Sequence, residues 1–453
     1  MINFKNYFLV PCFFIVLIQT SYSNYMSLRN VTIVSDNTGA QTSQVRFNIS
    51  WENSWKDDVN WDAAWVFIKF KDGSGNWKHA TLSSSGHNGG TGTALTIEVP
   101  SDNLGAYIYR TSNGAGHITQ TDMEVQWDYG VDGVVDMTGI EFRMFAMEMV
   151  YIPQGSFAIG DGNGTTMSDG SFRHLNFPYY VIVNENLSPE LYGNFKIDGD
   201  GGLDFDADGT IDNPDFPTGY KSFYIMKYEI TQGQYSDFLN TVTTVQQTYL
   251  QPAGDSRMTI SKVSGVYYAS HPDRGCNGIN MVKGMAYADW AGLRPMTELE
   301  YEKSCRGPLP AIYGEFAWGT PVKNGRNALV GIENGAEKAD IPQRNSGYSI
   351  EAYRVGLYAE DTTTRINSGA SYYGVMDMSS NLAEYYVSAK LTTNRTFTGL
   401  HGNGVLAASG DPDVVDWDTS DCAVIEFIVS KRSGAYSQFI NYAHGIRLGR
   451  SAY

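Results

Sequence analysis

Apolar and polar residues alternate one for one along Val45-Arg46-Phe47-Asn48-Ile49-Ser50-Trp51, the period of a half-buried strand. A second strand, Ala64-Trp65-Val66-Phe67-Ile68-Lys69-Phe70, is more continuously apolar and is closed by the turn residues Asp72-Gly73-Ser74-Gly75. Residues 94–99 and 141–146 extend the pattern, and helical periodicity is hard to find before residue 147. The chain is therefore expected to be α+β, beginning with an all-β sandwich over residues 27–146. Trp51, Trp55, Trp61, Trp65 and Trp77 crowd into that block. Core packing with exposed edges accounts for them better than a sugar-stacking platform.

From 147 to 453 the chain changes character, with short amphipathic helices among long glycine-rich loops. Thr231-Gln232-Gly233-Gln234 is a capping box, in which hydroxyl and amide side chains satisfy free backbone N–H groups reciprocally. The following turn places Tyr235, Phe238 and Leu239 on one apolar face. Thr297-Glu298-Leu299-Glu300 is a second box, with Pro295 just before it as a helix-start signal. Between them, residues 280–290 read as a helix closed by Gly292.

Residues 1–23 carry one Lys, an apolar run over 7–18 and small residues at Ser21 and Ser23, the pattern of a secretory leader cleaved after Ser23. The run is shorter than the ~18 residues a transmembrane anchor requires. Loss of Cys12 with the leader leaves Cys276, Cys305 and Cys422, an odd number for an oxidising compartment. By position Cys276 and Cys305 are the expected pair. With 453 residues and a net charge of −17, the chain lacks the basic footprint of a nucleic-acid binder or of a protein docked on anionic lipid.

Five segments resemble the formylglycine-generating-enzyme, or sulfatase-modifying-factor, family. Residues 149–160, MVYIPQGSFAIG, look like its opening strand, and 223–235, FYIMKYEITQGQY, like its EVTxxxY segment. Residues 293–302, LRPMTELEYE, resemble its RLPTExEWE helix. Residues 373–384, YGVMDMSSNLAE, resemble GLYDMSGNVWEW, and 444–448, HGIRL, the closing GFRL. The resemblance spans about 300 residues in the right order and implies a mixed, C-type-lectin-like domain over 147–453, low in regular structure.

The same resemblance sets a test for activity. The family's oxidases bind Cu(I) through a cysteine pair after a Gly-Gly-Ser strand, and two soft thiolates are what that ion needs. The corresponding stretch here, residues 397–406, FTGLHGNGVL, is followed by no cysteine until Cys422. Ala383 also stands where the family has an aromatic residue. An iron-dependent branch uses a His-x3-His-x-Glu cluster, a spacing absent from the histidines at 79, 87, 117, 174, 271, 401 and 444. His401 is read as a structural or surface histidine. No catalytic residue is assigned. The rival expectation is an oxidoreductase with an altered site using Cys422 and His401.

Residues 204–215, DFDADGTIDNPD, form an insertion near 196–216 with the spacing of an EF-hand-type calcium loop. Oxygen donors fall at Asp204, Asp206, Asp208, Thr210, Asp212 and Asp215, with Gly209 at the sharp turn. The family resemblance implies a second Ca2+ position, formed by the Asp377 and Glu384 carboxylates with the Ser380 and Leu382 carbonyls. Ser380 replaces the family's usual Gly, a change that would strain the turn if that position has a positive φ. Tyr436, Phe439 and Tyr442, in an aromatic stretch rich in Ser, Asn and Gln, are candidate ligand-binding residues. The expectation is an exported, calcium-stabilised, non-catalytic binding or structural protein, secreted or at the cell surface. Its partner would be a protein or glycan, or further copies of itself.

Overall fold

A computed structural model of the chain describes residues 26–160, 162, 180–185, 211–254, 257–322, 329–339, 352–359, 364–387, 396–417, 423–425 and 444–452. The first block contributes β1 (Ser27–Asn37), β2 (Thr42–Lys56), β3 (Asp62–Lys71), β4 (Trp77–His79), β5 (Thr91–Gly92), β6 (Leu95–Glu98), β7 (Ala106–Arg110) and β8 (Gly114–Trp127). Then follow β9 (Phe142–Ile152), β10 (Phe157–Ile159), β11 (Tyr180–Ile182), β12 (Phe223–Met226), α1 (Gln232–Leu239) and α2 (Thr244–Leu250). The hairpin β13 (Ile260–Val263) and β14 (Val266–Ala269) precedes α3 (Met281–Trp290), β15 (Arg294–Pro295) and α4 (Glu298–Arg306). The remainder is β16 (Leu329–Val330), β17 (Lys338–Ala339), α5 (Arg365–Ser368), β18 (Ala383–Tyr386), β19 (Ala423–Ile425), β20 (His444–Ile446) and β21 (Leu448–Ser451). The chain is α+β and sheet-rich, with five helices among the described residues, none long and apolar enough to cross a membrane.

One sheet organises the molecule. Its strand order is β15-β21-β12-β9-β3-β7-β6, with β4 also on β3, and a separate sheet runs β1-β2-β8-β5. The boundary between residues 146 and 147 falls inside β9, which pairs with β3 on one side and β12 on the other. β3 is apolar on both faces because both faces are covered. Ala64, Val66, Ile68 and Phe70 join a core with Val45, Phe47, Ile49 and Trp51 of β2. Ala63, Trp65 and Phe67 pack instead with side chains of α1 and α3. Further along β9, Val150 and Ile152 meet Tyr301 and Cys305 of α4.

A buried charge triad centres on Glu148 of β9, where along one face of the strand the cluster of Met144 and Ala146 gives way to that of Val150 and Ile152. Lys227 Nζ is 2.9 Å from Glu148 Oε2 and 3.6 Å from Asp62 Oδ2. Asp62 also accepts hydrogen bonds from Trp51 Nε1 at 3.0 Å, Ser54 Oγ at 2.8 Å and the Trp55 N–H at 3.1 Å. Burial pushes Glu148 up to about 7 against the pull of the Lys227 charge. An ammonium placed here has no alternative partner in water, so the triad ties the first block to the strand that opens the second.

The tryptophans divide by depth. Trp51 and Trp65 are buried in the cores, whereas Trp61 is partly exposed. Trp61 stacks on Tyr151 with centroids 3.9 Å apart and carries the Lys56 ammonium 3.7 Å from its own centroid. Two groups that close to one centroid must lie on opposite faces, so neither face is free to stack a sugar.

The helix-start signals of the sequence are realised in detail. Thr231 and Thr297 form complete capping boxes, Asn280 caps α3, and Tyr235, Phe238 and Leu239 are fully buried. Gly292 closes α3 with φ +67. Pro295 differs from expectation: it lies on β15, paired with Leu448, and Thr297 alone starts α4. The expected Cys276–Cys305 pair is not formed. Both thiols are free and buried, Cys276 in the core beneath α1 and α3 and Cys305 in the core beneath α4, clusters on different parts of the sheet.

The loop over residues 397–406 is tethered to both blocks. His401 Nε2 accepts the Ser451 N–H at 2.9 Å, while Nδ1 lies 3.6 Å from Asp102 Oδ2. Burial, with Arg450 beside it, lowers His401 to about 4, so the ring is neutral in the folded chain. An unfolded histidine takes up its proton near pH ~6.5, so stability should fall as pH drops from there towards His401's folded value, by on the order of 2–3 kcal/mol. Urea midpoints at pH 7 and pH 4.5 should differ less for His401→Gln than for the native chain; equal differences would exclude His401 as the sensor. A chain beginning at residue 147 lacks β3 and Asp62 and should yield no soluble protein with a cooperative melt. Cooperative melting of that fragment by circular dichroism would show that the second block folds alone.

Candidate cation and binding site

Three buried carboxylates converge on one guanidinium. Arg447 follows β20 and its Nε donates to Glu384 Oε1 at 2.9 Å, while Nη1 donates to the Met226 and Lys227 carbonyls at 3.0 and 2.8 Å. Glu384 lies on β18, which pairs in parallel with β20, Glu384 opposite Gly445. Gly445 packs closely here, since a Cβ there would stand 2.6 Å from Leu382 Cδ1 and would have to displace that side chain. Glu229, just before the Thr231 cap, accepts from the Leu382 N–H and from Asn381 Nδ2, both at 3.3 Å.

The 377–384 turn is held from outside as well. Asp377 Oδ2 accepts the Gly356 N–H at 2.5 Å, and Asn381 Oδ1 accepts the Tyr353 N–H at 2.9 Å. Asp377 and Asn381 take the left-handed conformation, with φ +61 and +66. Ser380 does not, so the serine at this position introduces no backbone strain. Its N–H donates to the Asp377 carbonyl at 3.0 Å and its hydroxyl to Asp377 Oδ1 at 3.4 Å.

Charge is unbalanced at this turn. Glu229, Asp377 and Glu384 are all pushed above the usual carboxylate range, first by burial, and for Glu229 next by the Asp377 charge. The Arg447 charge opposes the rise in each of them. Among the described residues, Glu384 Oε2 has no partner at hydrogen-bond geometry; the Tyr301 hydroxyl lies beside the carboxylate and lowers its pKa, but donates to the Met378 carbonyl at 2.6 Å. Such a cluster needs either protons or an additional cation. The expected donors Asp377, Ser380, Leu382 and Glu384 therefore fall on one turn, and all but Ser380 are buried. Among the described residues no three His, Cys, Asp or Glu side chains form a metal-binding group; the expected set has two carboxylates, with carbonyls for the rest.

The other sequence-assigned residues are placed unevenly. Asp212 and Asp215 are exposed, between Ile211 and Phe216, which are buried in the core. Asn213 Nδ2 anchors this segment to the Phe397 carbonyl at 2.9 Å. Asp204, Asp206, Asp208 and Thr210 lie outside the described residues, as do Tyr436, Phe439, Tyr442 and Cys422. Glu229 and Arg447 lie within the family-like segments 223–235 and 444–448. Their signal was a charge inside an apolar segment, Tyr228-Glu229-Ile230 and Ile446-Arg447-Leu448, where burial demands a partner.

Arg447→Met should destabilise the chain by about 3–5 kcal/mol, because it leaves three buried carboxylates without their guanidinium. Glu384→Gln should cost less, since it removes one of the competing charges. Urea unfolding of both variants tests the order, and a milder effect for Arg447→Met would refute this account of the cluster.

No curated protein matches the chain. Residues 141–452 match the model of the sulfatase-modifying factor enzyme 1-like domain, a span that takes in β9, the Asp377 turn and Arg447, and the chain belongs to that family.

Proposed function

We propose that this chain is an exported, calcium-stabilised binding or structural protein that uses the family's domain without its oxidase chemistry. The observation that carries this reading is the state of the thiols. Cys276 and Cys305 are free and buried, and burial pushes both thiols upward, away from the thiolate a Cu(I) site needs. They sit in separate cores, so they cannot form the two-coordinate pair, and the 397–406 stretch supplies no cysteine. Cys422 alone is one thiol short. His401 is no ready base for it, because its Nε2 already accepts the Ser451 N–H.

Calcium would be held at the Asp377 turn by the Asp377 and Glu384 carboxylates with the Ser380 and Leu382 carbonyls. The unpartnered Glu384 Oε2 and the excess of buried carboxylates support that assignment. Hard oxygen donors suit this ion, and bound there it would supply charge balance and rigidity. The 204–215 loop is the second proposed position, with Asp212 and Asp215 at its described end. The leader over residues 1–23 supports secretion or display at the cell surface. Partners of this kind are protein or glycan ligands, for which Tyr436, Phe439 and Tyr442 are the proposed contacts, or further copies of the chain. The packing of the β1-β2-β8-β5 sheet on β3, β7 and β9 supports a sandwich reading for the first block, and the family match supports a C-type-lectin-like reading for the second.

Calcium should raise the melting temperature of the mature protein relative to EGTA, by on the order of 2–4 °C per kcal/mol of binding. Glu384→Gln and Asp208→Asn should each remove part of the shift, and an absent shift would eliminate calcium from the reading. Incubated with Cu(I) and a cysteine-containing sulfatase-type peptide, the calcium-loaded protein should consume no oxygen and form no aldehyde. Turnover in that assay would overturn the non-catalytic assignment.

A further inference from the structure

Two arginines share one glutamate at the outer edge of the Asp377 turn. Arg257 Nη2 and Arg274 Nη2 both donate to Glu333 Oε2, while Glu333 Oε1 receives Arg257 Nη1 at 3.3 Å. Arg257 is held in place by an Nε hydrogen bond to the Ala352 carbonyl at 2.6 Å and by the Tyr353 ring 4.8 Å from its guanidinium carbon. Arg274 Nη1 reaches the Arg257 carbonyl at 3.3 Å. Arg274 is only 7% exposed, and its Nε has no hydrogen-bond partner among the described residues.

A guanidinium presents five donors in a planar fork that matches a carboxylate two bonds at a time. Arg257 takes both Glu333 oxygens while Arg274 reaches Oε2 alone, so the Arg274 fork is only half used, and among the described residues neither arginine pairs with a second acidic side chain. The glutamate reaches the arginines from a short element. It lies in the loop of the β16–β17 hairpin, whose strands share two residue pairs, and neighbouring Ile332 is 81% exposed. A ladder that short contributes little stability of its own. The arginines have anchors besides Glu333, the Ala352 and Arg257 carbonyls and the Tyr353 ring, whereas the only side-chain bonds of Glu333 among the described residues are those to the two arginines.

We propose that Arg257 and Arg274 form a carboxylate-binding clamp that Glu333 fills in cis and that an acidic peptide segment of a protein partner fills in its place. The clamp gives the binding reading a ligand class. It is joined to the Asp377 turn through Tyr353, whose N–H bonds Asn381. An internal occupant lowers the apparent affinity for an external one by the fraction of time the clamp is open.

The test uses the full mature chain and a fluorescent oligoglutamate peptide, followed by anisotropy. Glu333→Gln should bind the peptide about tenfold more tightly than the native chain. Adding Arg274→Ala to Glu333→Gln should abolish the gain. Should Glu333→Gln fail to fold by circular dichroism, Glu333→Asp keeps the charge but cannot span both forks, and it should also bind more tightly than the native chain. Equal binding by the folded variants and the native chain, or binding by none, overturns the clamp. Neither result bears on the calcium shift or on the oxidase assay, so the two readings fail separately.

Discussion

Strand β9 carries the molecule, and what makes it able to do so is a set of charges that cannot be left alone in a core. Glu148 projects from β9 between two apolar clusters, Lys227 meets it from the end of β12, and Asp62 meets Lys227 from the start of β3. Each of these residues would be costly to bury by itself. Together they are tolerable in one arrangement only, with β3, β9 and β12 side by side in the registers seen here. The first block is thus more than an appendage: its central strand is an interior strand of the sheet on which the family domain is built.

Ionic groups recur at every junction of that sheet. Lys69, on β3, donates to the Gly404 carbonyl at 3.0 Å, and burial lowers it to about 7. Asp289 of α3 receives the N–H groups of Asn403 at 2.9 Å and Asp413 at 3.0 Å. Arg450 donates to the Gly292 carbonyl and to Asp102. Loops with little regular structure have many backbone groups to satisfy, and long charged side chains reach them where a sheet ladder cannot. Around Arg447 the same device is carried to excess, with three carboxylates facing Arg447 and only Asp377 also feeling Arg354, and this imbalance separates the Asp377 turn from the purely structural pairs.

Local chemistry was the most legible part of the sequence. Thr231 and Thr297 announced two helices because a cap is a contact between near neighbours, and the helix read over 280–290 proves to be capped by Asn280 as well. α2 follows the same rule, with Thr243 and Gln246 forming a complete capping box. Pro295 was ambiguous, since its fixed φ suits an edge strand as well as a helix start. The cysteines show where such reading stops. Cys276 and Cys305 are 29 positions apart and compatible with a bridge by position, yet the sheet's two coverings draw them into different cores. Ser380 is the converse case: the turn places its left-handed residues at Asp377 and Asn381, so the serine carries no strain.

By itself, the order of residues was enough to establish an α+β chain of the sulfatase-modifying-factor family, the location of its capped helices and the absence of a thiol pair in the 397–406 stretch. These depend on composition, on spacing and on contacts a few residues long. The merging of the first block with the domain through β9, the separation of the two buried thiols and the convergence of Glu229, Asp377 and Glu384 on Arg447 had to await three dimensions. So did the pairing of Arg257 and Arg274 on Glu333, which lie 76 and 59 positions from it. Charge pairing across such distances is chosen by packing, because only the folded sheet determines which buried charges are left without water.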